Sequence, residues 1–242
     1  MEKLIAKYAS LIGFTNQERE SLDALAEQLV HCSAGDELVE EDEDGSDNLY
    51  IVKSGRLFSS QALPEGVRAI TRLYFSGDII GTASVPFRLS VQTVTASANS
   101  ELYRFPRERL AQAFLDYPRI AAMFYTFAAL ENAILQDRLV SIGRTEGLAR
   151  IAAIIMEIAT RRELTGAVIE DPFTIGLRQS EIGDAVGLTH IHVNRLMKEL
   201  DARGLISRTR EQLTIVDPAG LAEVGHFQNR YENIDVGWFP GK

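Results

Sequence analysis

The residues best equipped to act on another molecule stand in one short stretch, Thr189 to Arg203. His190, Asn194 and Arg195 carry hydrogen-bonding groups, and Ile191 and Lys198 stand among them. At about 100° per residue these five share one side of a helix, while Val193, Leu196, Met197 and Leu200 share the other. Arg donates to guanine, Asn pairs with adenine, and His suits a base or a phosphate. A helix buried on one side and armed with such donors near its N-terminus is what a helix-turn-helix reader of DNA needs. The same spacing fits an ordinary amphipathic surface helix with a solvated polar face. Spacing alone leaves both readings open.

The elements that must position this helix are legible on either side of it. Gln179 to Val186 reads as a first helix, and Gly187-Leu188-Thr189 as the tight turn that follows. Thr189 is the N-cap of the second helix, and Gly204 ends it. Leu205-Ile206 re-enters the core. Ser207 to Gln212 is a polar, basic turn, and Leu213 to Val216 is the return strand of a β-hairpin wing. Arg178, Arg195, Lys198, Arg203, Arg208 and Arg210 crowd this one segment, an electrostatic footprint for phosphate.

The stretch from Arg178 to Ile206, RQSEIGDAVGLTHIHVNRLMKELDARGLI, resembles the winged helix-turn-helix of the Crp/Fnr superfamily of bacterial transcription regulators. The resemblance is carried by Gln179, Glu181-Ile182-Gly183, Val186-Gly187, Thr189, Val193, Arg195-Leu196 and Gly204-Leu205-Ile206. It implies a homodimer on double-stranded DNA with a palindromic site, working with RNA polymerase. Within it Arg195 takes a guanine, His190 and Asn194 read neighbouring bases, Lys198 belongs to the same face, and Gln179, Ser180, Thr189 and Arg208 position the phosphates. Ile191 departs from the pattern. Both well-known branches place a base-reading Glu there, and an isoleucine can only touch a thymine methyl.

From His31 to Phe105 glycines recur at 35, 45, 55, 66 and 77, with short β-prone runs between them. Regular short strands with turn signals predict an antiparallel β-barrel or sandwich. Ala34-Gly35-Asp36, Asn48 to Gly55 and Ser76 to Gly81 resemble the β-roll of cyclic-nucleotide-binding domains, the sensor half of the same superfamily. Residues 1 to about 30 read as two helices, the second capped by Thr15 with Glu18 and buried through Leu22, Leu25, Ala26 and Leu29. Pro106 opens a short helix. Pro118 opens a long one to about Ser141, apolar over more than one stripe, which predicts two neighbours: the β-roll and a second copy of the same helix. Gly143 is read as a hinge, Val168 to Ile175 as one or two short strands, and the tail from His226 as undecided.

The sensor pocket is expected among Gly77-Asp78-Ile79-Ile80-Gly81, Thr82, Arg88, Val91, Gln92 and Thr93, facing Phe124, Phe127 and Glu131 of the long helix. In the cyclic-AMP-binding relatives a Glu holds the ribose and an Arg-Ser pair the phosphate. Here Thr82 follows Gly81, and Ser90-Val91 stands where Arg-Ser is required. A cyclic phosphate needs a fixed cation or several backbone donors. The reading therefore expects an effector other than cyclic AMP, or none. His31 is expected at the surface rather than on a haem.

Composition bounds the rest. The chain has 242 residues, 45% hydrophobic and 24% charged, enough for two modest cores. Its net charge of −9 argues mildly against nucleic acid, but the acid is piled into Glu40 to Asp44, far from the basic segment. That run departs from a calcium loop at Asp47 and Lys53 and reads as solvated. The single Cys32 excludes an internal disulfide and a cysteine-ligated zinc or iron-sulfur site within one chain. No metal site and no cofactor are expected. No apolar run reaches the ~18 residues of a membrane helix, and no signal peptide is present, so the reading is cytoplasmic. No catalytic set appears, so the chain is not read as an enzyme.

The expected fold is therefore α+β: an N-terminal antiparallel β-roll with its helices over 1–117, a dimerisation helix and hinge over 118–142, and a winged helix-turn-helix over 143–242. The expected function is a sequence-specific, homodimeric transcription regulator with residues 189–203 in the major groove. The alternative is a cyclic-nucleotide-type signalling module whose helix-turn-helix contacts protein.

Overall fold

The computed structural model describes residues 12–26, 28–42, 47–62, 64, 66–209 and 211–241. These fall into two compact units. One lies within Met1–Gln61, Arg72–Ala133 and Tyr231–Lys242, the other within Ala62–Thr71 and Ile134–Arg230. The first of the two expected helices lies outside the described residues up to Leu11; Ile12, at its end, is helical and buried.

The first unit begins with helix α1, Asn16–Ala24. Thr15 caps it: its hydroxyl accepts the Glu18 N–H at 3.2 Å, and the Glu18 carboxylate accepts the Thr15 N–H at 2.8 Å. The helix stops short of the expected residue 30. Gln28–Cys32 is instead strand β1, paired antiparallel with Ser100–Pro106, here β8, in the register Gln28↔Arg104 to Cys32↔Ser100. Leu29, expected on the buried helical face, is 41% exposed on that strand. The other strands are β2 Glu37–Val39, β3 Asn48–Ser54, β4 Leu57–Ala62, β5 Arg68–Tyr74, β6 Ile79–Ile80 and β7 Thr93–Ala96. They form two four-stranded sheets, ordered β1-β8-β3-β6 and β2-β7-β4-β5.

The first sheet is buried on both faces, and the two-residue period of β3 shows how. Tyr50 and Val52 join Cys32, Leu57, Tyr74, Ile80, Val94 and Leu102 in the core shared by the two sheets. Leu49 and Ile51 point the other way, into a second core with Leu22 and Leu25, with Leu110 and Ala113 of α2 (Arg107–Asp116), and with Ile120, Met123 and Phe124 of α3 (Pro118–Arg144). Cys32 packs as a small hydrophobe, and burial and the nearby Asp36 carboxylate push its thiol up. His31 stands at the surface, 3.7 Å from Glu101. The tail returns to this unit: Phe239 is 3% exposed within the second core, and Val236 packs against it.

Helix α3 is one unbroken element of 27 residues. Gly143 lies inside it and does not end it, a correction to the expected hinge. A glycine here costs about 1 kcal/mol relative to alanine, which a long helix absorbs. The break comes at Thr145-Glu146, before α4, Gly147–Glu163. Arg150 of α4 donates to the Thr145 carbonyl at 2.8 Å, satisfying an acceptor that the helix end leaves open.

The second unit continues with α5 (Gln179–Val186), α6 (His190–Ala202), β9 (Ile206–Arg208), β10 (Leu213–Ile215) and α7 (Pro218–Val224). Its core is built from Ile151, Ile155, Ile158, Val193, Leu200, Ile206, Ile215 and Leu221, each at most 1% exposed. The stretch from Val168 to Ile175, expected as strands, holds only an isolated bridge between Phe173 and Leu213.

Candidate nucleic-acid interface

Helices α5 and α6 are held at close quarters by their turn. Gly187 has φ +68°, a left-handed conformation that favours glycine. The Leu188 N–H donates to the Gly183 carbonyl at 3.0 Å. A Cβ built on Gly183 meets the Leu188 carbonyl oxygen at 2.3 Å, so the two helices approach as closely as they do only because no side chain stands there. Gly183→Ala is expected to destabilise the protein by about 1–3 kcal/mol, the range for overpacking a filled site, against the ~1 kcal/mol that alanine gains in helix propensity. Urea denaturation checks this, and an unchanged midpoint would show that the turn has slack.

Thr189 caps α6, its hydroxyl accepting the His192 N–H at 3.4 Å. Val193, Leu196, Met197 and Leu200 are buried, as expected. The opposite side is open. Ile191 stands at its centre, 69% exposed, with His190, Arg195 and Lys198 exposed around it. The five residues expected to read DNA therefore share one face. Asn194 is half-buried, and its amide donates to Gln179 Oε1 at 3.2 Å, which links the reading helix to the first residue of α5. Gln179, Ser180 and Thr189 are exposed beside it.

The cations of the segment are not equivalent. Arg195 is 66% exposed and only 3.9 Å from Glu199, too loose a pair to hold the guanidinium against a better partner. Glu199 is held more closely by Arg203, at 2.6 Å. Lys198 has no ion-pair partner among the described residues. Arg208 is only 22% exposed at the side chain and sits 3.8 Å from Asp201, so the wing strand leans on α6 rather than reaching out. Arg210 is outside the described residues. His192 was passed over in the sequence although it is exposed at the same helix end. Its Nδ1 lies 3.2 Å from the Thr189 hydroxyl, a capping contact signalled by its place three residues after the cap.

A separate cavity lies within the first unit, about 650 Å³ with its open mouth included. Of the expected pocket residues, Gly77, Asp78, Ile79, Thr82, Phe124, Phe127 and Glu131 line it. Ile80, Gly81, Arg88, Val91, Gln92 and Thr93 do not, and the polar groups of Val91, Gln92 and Thr93 are engaged elsewhere. The Val91 N–H donates to the Ser84 hydroxyl at 3.3 Å, the Gln92 amide to the Tyr74 hydroxyl at 3.1 Å, and the Thr93 hydroxyl accepts the Glu41 N–H at 3.2 Å. These groups are spent inside the sandwich. Arg88 is exposed. The rest of the wall comes from residues not expected at a pocket, among them Phe14, Leu22, Leu25 and Met123. The cation in the wall is Arg72. It grips Glu131 with both guanidinium nitrogens, Nη1 to Oε2 at 2.6 Å and Nη2 to Oε1, and lies 4.4 Å from the centre of the Tyr74 ring.

Comparison with known proteins fits this architecture at both ends. The family model of the Crp-like helix-turn-helix domain matches residues 149–224, and that of the cyclic nucleotide-binding domain matches residues 29–117. The chain belongs to the Crp/Fnr superfamily. It is 25% identical over 213 residues to the transcriptional regulatory protein Btr of Bordetella pertussis, across 88% of this chain and 87% of that one. It is 24% identical over 221 residues to the fumarate and nitrate reduction regulatory protein of Escherichia coli, across 90% and 88%. The fold resembles that of FixK2 from Bradyrhizobium japonicum, with a TM-score of 0.74 at 22% identity over 81% of this chain and 96% of that one. This Crp/Fnr member is a DNA-binding transcription regulator. Among the described residues, no helix is long and apolar enough to cross a membrane.

Proposed function

We propose that the protein acts in the cytoplasm as a homodimer that reads a two-fold symmetric DNA site, one α6 helix per half-site, and regulates transcription together with RNA polymerase. The observation that carries the DNA-reading half of this is the exposed face of α6. An apolar side chain, Ile191, sits at its centre among donors, an arrangement suited to a thymine methyl flanked by hydrogen-bonding edges. In this reading Arg195 contacts guanine, His190 and Asn194 read neighbouring bases, and Lys198 supports that face. The exposed N-terminus of α5, with Gln179 and Ser180, meets phosphate, as helix N-termini do. Thr189 and Arg208 complete the phosphate contacts, the latter after release from Asp201.

The dimer rests on a different face of α3. Tyr125, Ala128, Asn132, Leu135, Leu139 and Ile142 are all exposed, and their spacing alternates three and four. That is the seam of a two-stranded coiled coil, with Tyr125, Asn132 and Leu139 at the a positions and Ala128, Leu135 and Ile142 at the d positions. A single Asn at an a position is a known device for fixing register in dimers.

For the sensor cavity we propose an effector other than cyclic AMP, or none, and no iron-sulfur cluster or haem. A phosphate there must draw Arg72 away from Glu131, leaving a partly buried carboxylate without its cation, a costly exchange.

Salt dependence separates DNA reading from a helix-turn-helix that contacts protein. Duplex affinity is expected to fall by roughly 10³-fold or more between 50 and 200 mM salt if six or more phosphates are engaged. Retention on duplex DNA that ignores salt over that range overturns the DNA-reading geometry.

A further inference from the structure

We infer that the C-terminal segment forms part of the surface that receives a second copy of this chain, with Trp238 as its contact residue. The inference rests on the homodimer reading above and adds to it a contact that the seam of α3 does not contain.

The segment is anchored rather than loose. Phe239 is 3% exposed in the core beneath α3, and Val236 packs against the same core. The Phe239 N–H donates to the Val236 carbonyl at 3.2 Å, and the Gly237 N–H to Asp235 Oδ1 at 2.7 Å. These two turns fix the backbone on either side of Trp238 and turn its ring outward. Trp238 packs edge-on against Phe239 at 4.9 Å between ring centroids and against Tyr125 at 5.9 Å. Yet it remains 52% exposed, and Tyr125 68% exposed.

Two large aromatic rings left half-bare side by side are an unfinished contact, because such rings dominate the energetics of interfaces when covered. The occupant follows from continuity. Tyr125 is the first a position of the exposed heptad stripe, so the molecule that covers the stripe covers Tyr125. Trp238 touches Tyr125 and therefore meets the same molecule. A stripe with this spacing and a single Asn at an a position matches a second copy of itself in parallel, and a two-fold interface presents the same patch from both sides. Each copy then contributes one Trp238, held ready by its buried neighbour Phe239, so little ordering is lost on association.

The chain contains one tryptophan, so the test needs no label. The full-length protein is diluted through its dimer–monomer transition, followed by sedimentation, while tryptophan emission and circular dichroism are recorded at each concentration. Emission is expected to move to longer wavelength as the dimer dissociates, with secondary structure unchanged. Trp238→Ala is expected to weaken dimerisation by about tenfold or more, the scale of a buried interface aromatic. If wild-type emission is the same on both sides of the transition, and Trp238→Ala dimerises as tightly as wild type, the inference is overturned while the dimer stands. If the protein is monomeric at every concentration, the homodimer reading itself fails and takes the inference with it.

Discussion

Leu139→Glu is expected to convert the protein to a monomer at concentrations where the wild type is dimeric, and to remove tight binding to a two-half-site duplex. Leu139 is 72% exposed in the single chain. Changing it therefore disturbs little inside one copy, where surface substitutions stay within about ±0.5 kcal/mol. In the proposed dimer two leucines meet at an a position of the seam. Replacing both removes their buried contact and sets two carboxylates against each other out of water. A loss of at least about 100-fold in dimer affinity is the scale this implies. DNA affinity falls further than the lost seam contact alone, because linking two half-site contacts is worth roughly 10²–10⁴-fold over either one. Sedimentation and a mobility-shift titration on the same sample check both parts. Retained circular dichroism and a cooperative melt like that of the wild type diluted to monomer, alongside lost dimerisation, are the signature of a seam residue, since partner binding itself adds to thermal stability; loss of fold would place Leu139 elsewhere.

Arg195→Ala is expected to cost about 1–3 kcal/mol in binding to the preferred site and to relax specificity at one base position per half-site. The guanidinium is free to act because its contact with Glu199 is long and exposed, whereas Arg203 already holds that carboxylate closely. Competition among duplexes that differ at single base pairs distinguishes the roles. Lost discrimination at one position marks a base contact. A uniform loss across all sequences, with a shallower salt dependence, would make Arg195 a phosphate contact. Lys198→Ala should show that second pattern, being an exposed cation on the same face.

The helix-turn-helix was legible almost to the residue because its signals are local. Gln179 to Val186, the left-handed Gly187, the Thr189 cap and Gly204 each announce themselves by residue type, and the structure places them there. Signals from distant partners were not legible. Leu29 continues the helical spacing of Leu22, Leu25 and Ala26, but pairing with β8, some 70 residues later, draws its segment into a strand. Val91, Gln92 and Thr93 sit in the right part of the chain for a pocket, yet their polar groups are consumed by Ser84, Tyr74 and Glu41. Nothing in the order of residues reveals that consumption. The proposed seam was half-visible. The abundance of apolar residues in 118–141 predicts two neighbours, but which residues face outward became clear only once Ile120 and Phe124 were seen to be buried and Tyr125, Leu135 and Leu139 bare. Phe239 could not be placed from the sequence either, since a burial partner more than 100 residues away leaves no local pattern.

Selection of duplexes from a random pool by the full-length protein, at a salt concentration that suppresses non-specific binding, puts base reading by α6 to the test. An enriched inverted repeat is expected, with half-sites about 10 base pairs, or a small multiple of one turn, apart. Each half-site should hold a guanine that loses its preference in Arg195→Ala and a thymine beside it. A pool with no enriched sequence, or with a single unrepeated motif that Arg195→Ala selects equally well, would contradict it.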